Sequence, residues 1–322
     1  NITGAGALVK SGVGTLTLSG TNTYSGGTIV NGGLLQGTTT SLQGSIVNNA
    51  VVYVNQAVTG TYAGVMSGSG SMLVTGGGTV VLTGNNTYTG GTTVGAGNIL
   101  QLGDGGTTGW IVGNVVTNGT LAFNRSDDVT FAGDISGSGG ISLMGPGVVT
   151  LTGNNTFLGD ITIGGTIRAG SDAQLGPTGN TLKLQGGTVL VTASFASGRP
   201  IELVSDNGTF DTSGNDLGLS GAVSGAGRLV KAGTGTLTLS GTNTYSGGTT
   251  VSGGTLTGTT TSLQGDILNN AAVVFEQNSD GTYAGAMSGS GSLTKTGSGN
   301  LTLSGANTYS GGTSIADGTL TG

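Results

Sequence analysis

No histidine and no cysteine occur among the 322 residues of this chain. A Ser-His-Asp triad, a Cys-His pair and the usual zinc ligand sets are therefore excluded, however many serines are present. Charged residues make up 7% and aromatics 4%, against about 25% charged in ordinary soluble domains. Lys and Arg total 8, lie scattered along the chain, and leave a net charge of −6, which argues against a nucleic-acid partner. Long apolar runs are missing too. The longest span a few residues, far short of the roughly 20 that a transmembrane helix needs, so this segment is not expected to insert into a membrane.

Glycine, by contrast, supplies 71 residues, well above the average share of about 7%, yet without the triplet period and proline of collagen. Apolar and hydroxyl residues alternate in Thr15–Ser19 and Thr236–Ser240, and the same reading applies to Val148–Thr152 and to Thr181–Leu184, where Lys183 takes one polar place. A period of 2 is that of a strand with one buried face. Between such pieces stand Gly-Gly pairs at 26 and 27, 90 and 91, 247 and 248, and 311 and 312. Glycine reaches positive φ at low steric cost, which suits sharp corners.

One motif recurs five times: LTLSGTNTYSGGT at 16–28, VLTGNNTYTGGT at 81–92, TLTGNNTFLGDIT at 150–162, LTLSGTNTYSGGT at 237–249 and LTLSGANTYSGGT at 301–313. Leu18, Leu82, Leu151, Leu239 and Leu303 mark equivalent positions, in steps of 64, 69, 88 and 64. Residues 7–71 also match 228–292 at a constant offset of 221, so whole blocks have been duplicated. Such periodicity indicates a repeat array. With few aromatics to fill a wide two-sheet core, the pattern points to an all-β, right-handed, single-stranded parallel β-helix. Each coil would take about 20 residues, about three coils to a 64-residue block. Residues 1–322 then read as one repeat array, with copies near 14–37, 78–103, 147–170, 235–258 and 299–322. Asn22, Asn86, Asn155, Asn243 and Asn307 are expected at inward or corner positions, bonding turn backbone. Tyr24, Tyr88, Phe157, Tyr245 and Tyr309 are expected to cover the corner beside each Asn.

The repeat resembles the passenger-associated transport repeat of bacterial type V autotransporters. Its pattern, close to GxGTLTLSGxNTYSGGTTVxxGTL, is matched nearly residue for residue at Gly235 to Leu256 and Gly299 to Leu320. The copy at 147–167 departs at Phe157, Leu158, Asp160 and Ile161. The resemblance implies a passenger on the bacterial cell surface or secreted, delivered by an outer-membrane translocator absent from this chain. The lack of cysteine agrees with that route, since no disulfide could lock the chain in the periplasm. With no recognisable signal peptide, the sequence reads as a piece of a longer passenger. It starts and stops inside repeat-like sequence without a polar capping coil, which would leave end coils open to end-to-end association.

What remains for chemistry is carboxylate. Asp127 with Asp128, and Asp206, Asp211 and Asp216 near Arg199 and Glu202, are the groups to consider, and turns or solvated faces explain them better than calcium or catalysis. The nonapeptide calcium repeat is not found in tandem. Glycine clusters at 64–72 and 135–141 precede no helix, so they are corners and not phosphate cradles. Trp110 reads as a core or corner residue, with an exposed contact residue as the alternative. The Thr rows at 38–40 and 259–261 are too few for an ice-binding face. No catalytic, cofactor-binding or metal-binding residue is expected. Passengers of this kind include adhesins, aggregation factors and enzymes, so the resemblance does not fix the function. The repeat together with low charge and hydroxyl-rich faces leads to the expectation of a non-enzymatic adhesin or self-association scaffold whose partner is a host-cell or bacterial surface receptor or glycan, or a second copy. The alternatives are a structural stalk that presents a domain elsewhere and, third, a carbohydrate-active β-helix enzyme.

Overall fold

In a computed structural model describing residues 1–322, the chain is built of strands of two to five residues and a single 3-10 turn, Asp172–Leu175. It forms two compact units, Asn1–Asp160 and Ile161–Gly322.

In the first unit one parallel sheet runs through Thr15–Thr17, Leu34–Gly37, Val51–Asn55, Ser71–Thr75, Thr92–Val94, Val115–Thr117 and Ile135–Ser136. A second takes Gly60–Tyr62, Thr79–Leu82, Ile99–Leu102, Thr120–Phe123 and Gly140–Leu143. A third sheet holds Leu8–Lys10, Thr28–Val30, Ile46–Asn48 and Met66–Ser67, and a separate one begins with Val129–Phe131 paired with Val148–Leu151. Strand order in each sheet follows chain order, so successive turns add their strands to the same sheets. This is a parallel β-solenoid. Val52, Met72, Thr92, Val115 and Ile135 stand in one column, at steps of 20, 20, 23 and 20 residues.

The second unit repeats the plan. Its longest columns are Thr166–Ala169, Thr188–Val191, Gly208–Asp211, Leu229–Ala232, Thr249–Val251, Ile267–Asn269 and Met287–Ser288 on one side. On another lie Phe195–Ser197, Leu217–Leu219, Thr236–Leu239, Thr255–Gly258, Ala272–Glu276, Ser292–Thr296 and Thr313–Ile315.

Alternation explains the core. In Thr236–Leu239 the two leucines are buried and the two threonines half-buried toward the outside. Leu217, Leu237, Leu256, Val273 and Leu293 then stack in register inside the second unit, each almost fully enclosed. Burying each such side chain contributes about 1.5–3 kcal/mol.

The Gly-Gly corners have two separate causes. A Cβ on Gly90 would sit 2.5 Å from the Gly70 carbonyl carbon of the preceding coil, so the first glycine permits close stacking. Gly91, at φ 81°, is the one that turns the chain. In the divergent copy the second glycine is Asp160, which does not enter the left-handed region, yet its carbonyl still accepts from the Ile141 N–H at 3.0 Å.

Candidate functional site

The recurring Asn is a clasp between successive coils. Asn86 Oδ1 accepts from the Met66 N–H at 2.8 Å, while its Nδ2 donates to the carbonyls of Gly84 at 2.8 Å and Trp110 at 3.0 Å. Asn22, Asn155, Asn243 and Asn307 likewise accept from Ile2, Ile135, Val223 and Met287, each 20 residues earlier. Asn22 and Asn243 also donate to the carbonyls of Ser41 and Ser262. Beside them the hydroxyls of Tyr24, Tyr88, Tyr245 and Tyr309 bond Thr28, Thr92, Thr249 and Thr313 at 2.6–2.9 Å. Phe157 is buried and has no hydroxyl to place, and the sequence carries Ile161 where other copies have Thr. Burial pushes the Tyr88 phenol up, against the Thr92 hydrogen bond, which lowers it. Asn307 and Tyr309 are half-buried, whereas the other members of both sets are buried.

The carboxylates do not converge. Asp128, Asp134, Asp216, Asp266 and Asp280 each accept from the backbone N–H 20 residues on. Asp211 caps its own turn through Ser213 N–H at 2.9 Å, and Glu202 pairs with Lys183 at 3.7 Å. No group of three or more Asp and Glu is placed to hold a metal ion.

The positive residues hold what the sequence pattern did not disclose. Of the eight Lys and Arg, five are buried: Lys10, Arg125, Arg199, Lys231 and Lys295. Lys231 Nζ donates to the carbonyls of Ala232, Gly233 and Gly253 at 2.8–2.9 Å. Lys10 makes the same cage with Ser11, Gly12 and Gly32. Burial pushes the Lys231 ammonium down to about 8, opposed by the charges of Asp211 and Asp216. Arg199, which sequence proximity grouped with Asp206, Asp211 and Asp216, pairs instead with Asp172 at 2.8 Å. The only available signal was a cation at an inward-facing position of an alternating strand, as in LVK at 8–10 and LVKA at 229–232.

One region departs from the repeat on its outside. The step from Thr92 to Val115 is 23 residues, and the extra chain forms a loop over 103–109. Arg125 Nη1 donates to Gly109 O at 3.0 Å and Nη2 to Thr107 O, while Nε and Nη2 make a bidentate pair with Asp127 at 2.9 Å. The guanidinium holds the Asp127 carboxyl below the usual range. Trp110 follows the loop, half-buried, with ring centroids 5.6 Å from Phe131 and 6.1 Å from Phe123, and the Arg125 guanidinium carbon 5.9 Å from its own. It lines an open groove of about 400 Å³ with Asn85, Thr87, Val112, Asp128 and Thr130.

The passenger-associated-transport-repeat family matches residues 8–36, 74–102, 144–169, 229–261 and 293–321. Over 163 residues the chain is 39% identical to the adhesin BmaC autotransporter of Brucella suis biovar 1 (strain 1330), a match covering 43% of this chain. The matched region spans 5% of that much longer protein. No solved structure matches the chain.

Proposed function

Because the chain belongs to the autotransporter passengers built on passenger-associated transport repeats, we propose that it works as a non-enzymatic adhesion scaffold, on the bacterial surface or after release. The likeness to an adhesin passenger carries this reading. The geometry supports it in one respect. The recurring Asn and Lys side chains are spent on backbone inside the coils, and the outer rows are left to small hydroxyl residues such as Thr236 and Thr238, paired with Thr255 and Thr257 of the next coil. Rows of this kind offer many weak hydrogen bonds, which become significant when summed over several coils. The partner is a receptor or glycan on a host or bacterial surface, or a second copy of the chain.

Bacteria displaying the intact passenger are expected to attach or clump more than bacteria whose passenger lacks residues 1–322. Equal behaviour of the two would sink the proposal. If an unrelated β-solenoid with the same number of coils restores attachment in place of 1–322, the segment is a spacer. Sedimentation velocity on the purified chain separates the two kinds of contact: growth with concentration favours self-association, and a stable monomer favours a foreign receptor.

A further inference from the structure

The groove beside Trp110 differs in chemistry from those at the repeat corners. The corner groove between Thr89–Gly91 and Gly113–Asn114 is walled by backbone and small polar residues. At Trp110 an indole lies among an exposed amide (Asn85), two exposed hydroxyls (Thr87 and Thr130) and an exposed carboxylate (Asp128).

These walls select a ligand class. An aromatic surface amid short, uncharged and acidic hydrogen-bonding groups suits a molecule with an apolar C–H face and a rim of hydroxyls. An anion would meet Asp128, and Arg125, the cation there, is already engaged by Asp127, Thr107 and Gly109. A purely apolar ligand would strip water from the Asn, Thr and Asp side chains without replacing their bonds.

The groove is also preorganised. Asn85 Oδ1 accepts from Gly109 N–H at 3.0 Å, which fixes the amide while its Nδ2 has no partner in the chain. Residues 85 and 110 form a parallel bridge, Trp110 N–H donates to Gly84 O at 3.2 Å, and Asn86 N–H donates to Trp110 O at 2.8 Å. With Phe123, Phe131 and Arg125 packed around it, the indole has little freedom to lose on binding. We infer that this groove is a binding site for a neutral saccharide, one or two rings of which pack on Trp110 and hydrogen-bond to Asn85 and Thr130. The inference deepens the adhesion reading and rests on it only for its use to the cell.

Trp110 is the sole tryptophan, beside seven tyrosines, so fluorescence excited selectively at the indole reports on this groove. The purified chain is titrated with cellotetraose, maltotetraose and N-acetylchitotetraose, with a heparin-derived tetrasaccharide as the charged probe and glycerol as the simple polyol. A saturable change with at least one neutral tetrasaccharide and none with glycerol is expected. Asn85→Ala and Thr130→Ala, each keeping the tryptophan and the β circular dichroism of the parent, should weaken it about tenfold, the loss of one net hydrogen bond or slightly more. The inference is overturned by no saturable change at about 10 mM of any neutral probe, far above a millimolar Kd, by a response to the charged probe alone, or by responses undiminished in both variants. Cell attachment that persists without any saccharide response leaves the adhesion reading standing and removes only the groove.

Discussion

Two irregular loops, one in each unit, are each held by a single buried arginine, and the two are finished differently. In the first unit Arg125 takes its carboxylate from Asp127, two residues along its own turn, and reaches the loop only through the carbonyls of Thr107 and Gly109. In the second, Arg199 finds its carboxylate in the loop itself, at Asp172, and also donates to the carbonyls of Asp172, Leu175, Gly176, Pro177 and Asn180. A loop that leaves the ladder strands its carbonyls, and a guanidinium with five donors gathers them at one point. The second loop closes over Leu175, which is 1% exposed, whereas the first ends on a half-buried tryptophan above an open groove. One loop encloses an apolar side chain, the other ends beside an open groove.

The comparison is tested most severely at Arg199. Arg199→Met should cost about 3–5 kcal/mol, because Asp172, with its side chain only 17% exposed, would keep a charge without its partner and several carbonyls would lose their donor; the urea midpoint at constant slope measures it. Arg125→Met should cost less, about 2–3 kcal/mol, because the Asp127 side chain is 40% exposed and can turn to water. It should also shift the Trp110 emission, which the Arg199 variant leaves unchanged. Equal losses, or an unshifted emission, would mean that the two arginines do the same work.

The lysine cages extend the contrast to the regular repeat and to pH. Lys231 in the folded chain releases its proton near pH 8, whereas the unfolded chain holds it to about 10.4. Between those values the unfolded state binds more protons, so stability should rise with pH across that window. The buried phenols Tyr62, Tyr88 and Tyr283, raised by burial, act in the opposite direction above the ordinary tyrosine range. Thermal melts from pH 7 to 11 should therefore show a rise and then a fall, and Lys231→Met should remove the rise alone. The smallest effect is expected at Tyr88→Phe, about 0.5–1.5 kcal/mol for one hydrogen bond, since Phe157 already occupies the same repeat position in the buried state.

The parallel solenoid was legible because its cause is local: alternation at Thr236–Leu239 and glycine pairs at 90 and 91 each specify one strand or one corner. The turn length followed from the repeat, and the observed columns keep to it, as in the steps of 20 from Val52 to Met72 and Met72 to Thr92. The Trp110 groove was not legible. Counting in twenties fails where Thr92 meets Val115, and only the true register brings Phe131 and Arg125 to the indole. The buried cations were hidden for a similar reason. Whether a Lys on a strand faces water or a nest of carbonyls depends on the turn conformation of the next coil, which no single strand encodes.

The clasps have a consequence for how such a chain assembles. Asn86 reaches back 20 residues, Lys231 forward 22, and Arg199 back 27 to Asp172, the longest of the side-chain bonds described above. Within each unit, then, cooperativity passes from one coil to the next and is not shared at once by the whole. Folding can spread like a zip fastener, each closed coil forming the template on which its neighbour closes, and its speed is set by loops of about twenty residues, however many coils are added.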